Sequence, residues 1–306
     1  MTLKILIRLK YFLVRLVFRL FYHGIWFVPR ALHVPLANAL AWLAYLLMPA
    51  HRKTILENLD TAFGDEFPRP WKRNTAVSSY RGMILSSFEF IRFPRFTDDD
   101  VIRMMKMEGE EHLRRAVENG RGTIVVSAHF GNWELLAARL SAMGTPLTAV
   151  GRDQDDSLIN DVVVELRTSR GTRIIPRGVP LYERIVSCLN NNELIGLVAD
   201  QNAGVAGLFV DFFGKPASSF KGPGLFAVKT GAPVIPIFAV REGYEKHRAV
   251  VFPPLAITPT GDPAGDVLLY TQAYVKAIEK AVRQHPDHWM WVHKRWKTRP
   301  PDESPA

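Results

Sequence analysis

A histidine and a glutamate close together in the sequence have the residue types and spacing of an acid–base pair. Residues 123–136 read Thr-Ile-Val-Val-Ser-Ala-His-Phe-Gly-Asn-Trp-Glu-Leu-Leu, so a β-branched apolar run ends at His129. This pattern predicts a buried strand, a Gly-Asn turn and a helix with Glu134 in its first turn. We expect the turn to bring Glu134 within hydrogen-bond reach of His129, an arrangement that suits general base catalysis. The alternative is a core histidine beside a local acid.

Two further polar side chains follow predicted strands. Arg152 comes shortly after a strand predicted over 146–150, and Asp200 directly follows one predicted over 194–199. Ligands bind beyond the carboxyl ends of the strands in open α/β sheets. We therefore expect His129, Arg152 and Asp200 to line one crevice.

The remaining pattern predicts an α/β fold. Strands alternate with helices of about ten residues, which is typical of a central mixed, largely parallel sheet flanked by helices. No linker-like segment divides the 306 residues, so we expect residues 31–306 to form a single catalytic domain. The predicted strands are 123–128, 146–150, 172–175, 194–199, 233–240 and 248–252, and the predicted helices are 110–119, 132–143, 160–170, 180–189, 222–230 and 266–284.

Charge and cysteine content limit the classes of partner. The net charge of +9 favours anionic partners, which include nucleic acids, membrane surfaces and phosphorylated substrates. No nucleic-acid-binding motif is visible, so we expect no nucleic-acid partner. Cys188 is the single cysteine, which excludes a disulfide framework and a cysteine-rich metal site. Its place in an amphipathic helical pattern predicts a packing role.

The first 30 residues have the pattern of a membrane helix. Residues 3–28 are rich in apolar side chains, and four basic residues at helical spacing share one face: Lys4, Arg8, Arg15 and Arg19. Lys10 breaks this pattern. We expect residues 1–30 to anchor the chain at an anionic membrane, with an ordinary amphipathic surface helix as the alternative. A second apolar stretch, 31–50, contains Pro35 and Asn38, which favours a helix buried in protein or at the interface.

Several segments resemble a known family. The run from His129 to Glu134 resembles the His-x-x-x-x-Asp/Glu motif of the glycerolipid and lysophospholipid acyltransferase superfamily. Four more segments resemble, in the same order, the bacterial lipid A late acyltransferases, which are lauroyl and myristoyl transferases: 200–204 (DQNAG), 210–217 (VDFFGKPA), 230–236 (TGAPVIP) and 291–300 (WVHKRWKTRP). The resemblance covers nearly the whole chain, including the N-terminal membrane helix.

The resemblance implies acyl transfer at a membrane. The expected donor is an acyl carrier protein, and the expected acceptor is a hydroxyl of a lipid A precursor, a phosphorylated glycolipid. The expected location is the bacterial inner membrane, with the catalytic domain, an acyltransferase domain, on the cytoplasmic side. A thioester is already activated, so no metal and no cofactor are expected.

The resemblance also assigns roles to individual residues. It makes His129 the base and Glu134 its orienting acid, and it places Arg167 and Asp200 where the family keeps polar active-site residues. Arg152 follows the second strand, where family members often carry an arginine. Many members have a second aspartate at the position of Asn202, so a role that needs charge there is in doubt.

The substrates call for further contacts. Backbone N–H groups near Gly131 and Asn132 are candidates for holding the oxyanion. The guanidinium groups of Arg152, Arg167 and Arg170 match phosphate geometry, and a solvated basic face is the alternative interpretation.

Other functions remain open. Phosphatidylinositol-mannoside acyltransferases share the same motifs, so the acceptor is less defined than the reaction. A metal-dependent hydrolase would use His129, Glu134 and Asp200 as ligands, but the sequence has no close ligand set. A non-enzymatic membrane-binding protein fits the charge but leaves the ordered motifs unexplained.

Overall fold

The central sheet carries the residues of interest. A computed structural model of the chain describes residue 16 and residues 19–151, 156–175 and 180–300. The described strands are β1 (Met105–Glu108), β2 (Thr123–Ser127), β3 (Leu147–Val150), β4 (Arg173–Ile174), β5 (Leu194–Val198), β6 (Leu208–Phe212), β7 (Lys215–Ser219), β8 (Val234–Gly243) and β9 (Lys246–Val251). Seven of them form a sheet in the order β1-β9-β8-β2-β5-β3-β4, and β6 and β7 form a separate hairpin.

The strand directions confirm a mixed, largely parallel sheet. β8 is parallel to β2, β2 to β5, β5 to β3 and β3 to β4. β9 is antiparallel to β8 and pairs in parallel with the edge strand β1. The carboxyl ends of the five strands from β8 to β4 therefore lie along one edge of the sheet.

Helices cover both faces of the sheet. They are α1 (Arg30–Leu47), α2 (Pro49–Phe63), α3 (Arg69–Ile91), α4 (Asp98–Met104), α5 (Glu110–Glu118), α6 (Trp133–Ser141), α7 (Ser157–Thr168), α8 (Leu181–Asn190), α9 (Gly222–Thr230) and α10 (Pro263–Gln284). Successive residues of a strand point to opposite faces. Ile124 and Val126 accordingly belong to a hydrophobic cluster that includes residues of α2, α3, α8, α9 and α10, whereas Val125 belongs to a second cluster with residues of α4, α5 and α6.

The six predicted strands and six predicted helices are confirmed, with ends that differ by up to three residues. β1 was not predicted, because its sequence Met-Lys-Met-Glu has no β-branched residue and it pairs only with β9 at the edge. Cys188 is buried in α8, as expected of a packing residue.

The N-terminal region is partly described. The helix expected over residues 1–30 lies largely outside the described residues, apart from a helical stretch at 19–24. In the described part of the chain, no single helix is both long and apolar enough to cross a membrane. α1 and α2 meet these criteria only as a pair, and they are bent by 93° where they meet. The stretch predicted over 31–50 forms most of α1, which has Pro35 inside it.

Candidate active site

The carboxyl ends of β2 and β5 bring a histidine and an aspartate together. The two strands are neighbours in register from Thr123 with Leu194 to Ser127 with Val198. His129 lies two residues beyond β2 and Asp200 two residues beyond β5, so equal extensions of paired strands place them side by side. Nδ1 of His129 lies 2.8 Å from Oδ1 of Asp200. The expected convergence of these two residues is confirmed.

Burial and charge determine the state of this pair. The side chain of Asp200 is 2% exposed and that of His129 is 23% exposed. Burial lowers the pKa of His129, but Asp200 and, to a smaller extent, Glu134 together raise it by more, so the pKa lies above its usual value. Burial raises the pKa of Asp200, but His129 and the hydrogen bond from Trp289 together lower it by more. Asp200 is therefore an ionised acceptor, Nδ1 of His129 carries the hydrogen, and Nε2 is left free to accept a proton.

A tryptophan from the C-terminal segment completes the pair. Nε1 of Trp289 donates to Oδ2 of Asp200 at 2.7 Å, so both carboxylate oxygens of Asp200 are hydrogen-bonded. Trp289 is 1% exposed. Sequence reasoning missed Trp289 because it lies 89 positions from Asp200 and no local pattern joins them.

Glu134 has a different partner from the one we expected. Its Oε1 accepts a hydrogen bond from Nη2 of Arg167 at 2.6 Å, and its Oε2 accepts one from Nε of Arg167 at 3.0 Å. Nε1 of Trp133 also donates to Oε1 at 3.1 Å. The expected hydrogen bond between Glu134 and His129 is thus wrong, because α6 directs Glu134 toward α7 while Asp200 occupies the position beside the imidazole.

The turn after His129 is fixed by backbone contacts. Gly131 has a φ of +56°, and a Cβ there would lie 1.8 Å from the carbonyl oxygen of Ala239 in β8. The N–H of Gly131 donates to the carbonyl of His288 at 2.9 Å, and the N–H of Met290 donates to the carbonyl of His129 at 3.0 Å. The N–H of Gly131 is therefore not free to hold an oxyanion, contrary to our expectation.

Two of the expected substrate contacts are used within the protein. Asn132 is buried, and its side chain caps α6 by accepting from the N–H of Leu135 at 2.9 Å. Its side chain is thus engaged as a structural cap. The guanidinium of Arg170 donates to the carbonyl of Phe96 and lies 3.6 Å from Asp98. These contacts engage the Arg170 guanidinium within the protein, and its part in binding substrate stays a prediction.

Of the other two arginines expected to contact substrate, the structure describes only Arg167. Arg167 lies beside the pair through Glu134, and its side chain is 22% exposed. Arg152 lies outside the described residues.

The C-terminal signature is packed into the protein. Trp291, Trp296 and Arg295 are buried. The N–H of Asn202 donates to Nε2 of His293 at 3.0 Å, and Nδ2 of Asn202 donates to Oγ1 of Thr298 at 2.9 Å. Asn202 therefore ties the loop after β5 to this segment.

The three residues suggested as metal ligands do not form a ligand set. Glu134 faces Arg167, and both oxygens of Asp200 accept hydrogen bonds from His129 and Trp289. Among the described residues, no group of three or more His, Cys, Asp or Glu side chains is placed to hold a metal ion.

Comparison with known proteins identifies relatives. The sequence model of the family described as "Bacterial lipid A biosynthesis acyltransferase" matches residues 3–298. The chain is 29% identical over 214 residues to a phosphatidylinositol mannoside acyltransferase of Mycobacterium tuberculosis, and the match spans 68% of this chain and 66% of that protein. It is 26% identical over 267 residues to the lipid A biosynthesis lauroyltransferase of Escherichia coli, which covers 87% of this chain and 85% of that protein. It is also 29% identical over 211 residues to the lipid A biosynthesis palmitoleoyltransferase of Escherichia coli, with 68% and 66% covered.

Proposed function

The chain belongs to the bacterial lipid A biosynthesis acyltransferase family, and we propose that it transfers a fatty acyl chain from an acyl thioester to a hydroxyl of a glycolipid. One observation carries this proposal: a partly exposed histidine whose Nδ1 is held by a buried carboxylate at 2.8 Å. That arrangement leaves Nε2 as a general base for a hydroxyl nucleophile.

The proposed reaction uses His129 as the base and Asp200 as its partner. Nε2 of His129 takes the proton of the acceptor hydroxyl while the oxygen forms a bond to the thioester carbonyl carbon. The C–S bond then breaks, and the leaving thiolate takes the proton from Nε2, which gives an ester and a free thiol. Asp200 holds the reactive tautomer and stabilises the imidazolium. General base catalysis of this kind contributes about 10²–10⁴-fold.

Arg167 is the candidate contact for an anionic group of the substrate. Its Nε and Nη2 are occupied by Glu134, and Nη1 has no hydrogen-bond partner among the described residues. A guanidinium held by a carboxylate on one side is oriented to meet a phosphate or an oxyanion on the other. Glu134 thus acts by orienting Arg167.

The substrates follow from the family and the charge. We propose a lipid A precursor as the acceptor, in keeping with the names of the Escherichia coli relatives. We propose an acyl carrier protein as the donor, as the resemblance of the sequence motifs implies. The name of the mycobacterial relative supports a phosphatidylinositol mannoside as the second candidate acceptor. Both acceptors are phosphorylated glycolipids, which suits a chain of net charge +9.

The exposed face of α1 supports attachment to a membrane. Large apolar side chains on and around this helix are exposed by 37–69%: Leu32, Val34, Trp42, Leu43, Leu46, Leu47 and Met48. Such a surface favours insertion at the lipid interface. We propose that it works together with residues 1–30 to hold the enzyme on the cytoplasmic side of the bacterial inner membrane.

Charge placed on this face should release the protein from lipid. We expect the double variant Leu46→Asp, Leu47→Asp to bind vesicles of anionic phospholipid about tenfold or more weakly, because two apolar side chains no longer enter the lipid. Co-sedimentation with vesicles measures the effect. The matched control is Leu268→Asp, Leu269→Asp, another adjacent pair, each 43% exposed, in α10. Equal loss in both double variants, or in neither, argues against a membrane role for α1.

The proposed reaction is tested with purified components. Acyl carrier proteins loaded with different chains are supplied with either a lipid A precursor or a phosphatidylinositol mannoside, and the ester and the free carrier thiol are both measured. We expect one ester per thiol released with one of the acceptors. Thiol release without ester would instead indicate a thioesterase.

A further inference from the structure

A buried glutamate in α3 lies behind the turn that follows His129. Glu89 is 0% exposed, and every group that meets its carboxylate is a hydrogen-bond donor. Nη1 and Nη2 of Arg241 lie 2.6 and 2.8 Å from its two oxygens, and the N–H of Glu245 donates at 2.8 Å. Nε2 of His247 lies 3.2 Å away, and Nδ2 of Asn132 donates at 2.6 Å.

This cluster is electrically balanced. Burial raises the pKa of Glu89, but Arg241 and His247 lower it by more, to about 2. Burial also lowers the pKa of His247, so this histidine is neutral at pH 7 and donates through Nε2. The remaining charges, Glu89 and Arg241, cancel, which makes the cluster a rigid anchor in the protein interior.

The anchor holds the turn at two adjacent points. Asn132 uses its Nδ2 to bind Glu89 and its Oδ1 to cap α6 at Leu135. One residue earlier, the carbonyl of Gly131 accepts from Oγ of Ser86 at 3.0 Å, and Nη2 of Arg241 donates to the same Oγ at 2.8 Å. The turn is therefore attached to α3 through both residues.

The same helix also contacts the tryptophan that binds Asp200. Oγ of Ser79 in α3 donates to the carbonyl of Trp289 at 2.6 Å. The indole of Trp289 in turn donates to Asp200. One helix thus sets the positions of the base and of the carboxylate that orients it.

We propose that Glu89 is a positioning residue for acyl transfer, which acts through Asn132 to hold the turn so that His129 meets Asp200. This inference rests on the proposed function for its effect on rate. Its effect on the pKa of His129 can be measured without any substrate. A glutamine at position 89 offers one acceptor oxygen and an NH₂ group to a set of donors, so it cannot replace the carboxylate.

The test uses variants that separate positioning from folding. Asn132→Ser keeps an effective helix cap but is too short to reach Glu89. The matched control is Asp262→Ser, because Asp262 caps α10 through Ala264 and Gly265 in the same way but lies in an exposed turn. Glu89→Gln is the second variant, with Glu279→Gln as its control, because Glu279 is another buried carboxylate that accepts from a backbone N–H and two cations.

The first readout is the pKa of His129, followed by NMR of histidines labelled with ¹³C at Cε1. The charged or titratable groups that act on His129 are Asp200, Glu134, Arg167 and His293. We expect a wild-type value above the usual 6.5 or so and a lower value in Asn132→Ser and Glu89→Gln, because the contact with Asp200 loosens. The control variants keep the wild-type value.

The second readout is acyl transfer. We expect kcat to fall about 10- to 100-fold in Asn132→Ser, with the KM for the acyl donor within a few-fold of wild type, because a small misplacement of the base reduces the rate without removing binding contacts. A His129 pKa that is unchanged in Asn132→Ser overturns the proposal, whatever the rate. If the pKa of His129 shifts in Asn132→Ser but the wild-type protein shows no acyl transfer, the positioning role of Glu89 is supported and the proposed function is rejected.

Discussion

Asp200→Asn lowers kcat by about 10²–10⁴-fold, because it traps His129 in the wrong tautomer. Nε1 of Trp289 can only donate, so it keeps the side-chain oxygen of the new asparagine on its own side. The NH₂ group then faces Nδ1 of His129, which must become an acceptor, and the hydrogen moves to Nε2. A protonated Nε2 in a neutral ring cannot take the hydroxyl proton. Steady-state kinetics with saturating donor and acceptor measure the loss.

Glu134→Gln is the comparison that decides between the two acids. We expect a rise in the KM for the acceptor and a smaller fall in kcat, because Arg167 loses its charged partner while His129 keeps Asp200. If Glu134→Gln instead abolishes kcat while Asp200→Asn remains active, Glu134 is the orienting acid and the geometry described here does not govern catalysis.

The pH dependence of the rate separates the same two roles. The base must be neutral, so the rate of the wild-type protein rises with pH through the raised pKa of His129. Without the charge of Asp200, burial lowers the pKa of His129. The rate of Asp200→Asn should therefore begin to rise at a lower pH than the rate of the wild-type protein. Glu134 raises the pKa of His129 by less than Asp200 does, so Glu134→Gln should shift the pH–rate curve by less than Asp200→Asn.

Gly131→Ala disrupts both the fold around the turn and the activity. The new Cβ would lie 1.8 Å from the carbonyl oxygen of Ala239, which belongs to the backbone of a buried strand. Relief of this clash requires the turn to move away from β8, and the turn carries His129. We expect the free energy of unfolding to fall by about 1–3 kcal/mol more than the strain of a positive φ alone would cause. We also expect acyl transfer to be lost. Urea unfolding and kcat measure the two effects.

Gly144→Ala supplies the control for conformational strain. Gly144 has a φ of +85°, and no atom lies within 4 Å of a Cβ at this position. Its substitution therefore costs only the backbone strain, and activity is retained. Equal destabilisation in the two variants would mean that the approach of Gly131 to Ala239 does not constrain the turn.

The sequence predicted which strand ends meet, but not which side chains pair there. His129 and Asp200 were placed correctly because apolar runs define β2 and β5 and parallel strands end at the same edge of a sheet. Glu134 was chosen as the partner of His129 because it is near in sequence. The direction of α6, fixed by the cap at Asn132 and by packing of Leu135 and Leu136, turns it toward Arg167 instead.

The residues that support the site could not be found from local patterns. Glu89 reads as part of an aromatic helical stretch, and Trp289 as one of several tryptophans near the C-terminus. Glu89 lies 43 positions from Asn132, and Trp289 lies 89 positions from Asp200. Such contacts depend on how helices pack over a sheet, which neither periodicity nor propensity specifies.

The most direct test of the account is acyl transfer by the His129→Gln variant. Purified wild type and variant receive the same acyl carrier protein thioester and glycolipid acceptor, and ester formation is followed with and without EDTA. We predict that wild type forms the ester equally well in both conditions and that His129→Gln, with an unchanged unfolding midpoint, loses about 10²-fold or more. Ester formation at the wild-type rate by His129→Gln would contradict the central claim that His129 is the base.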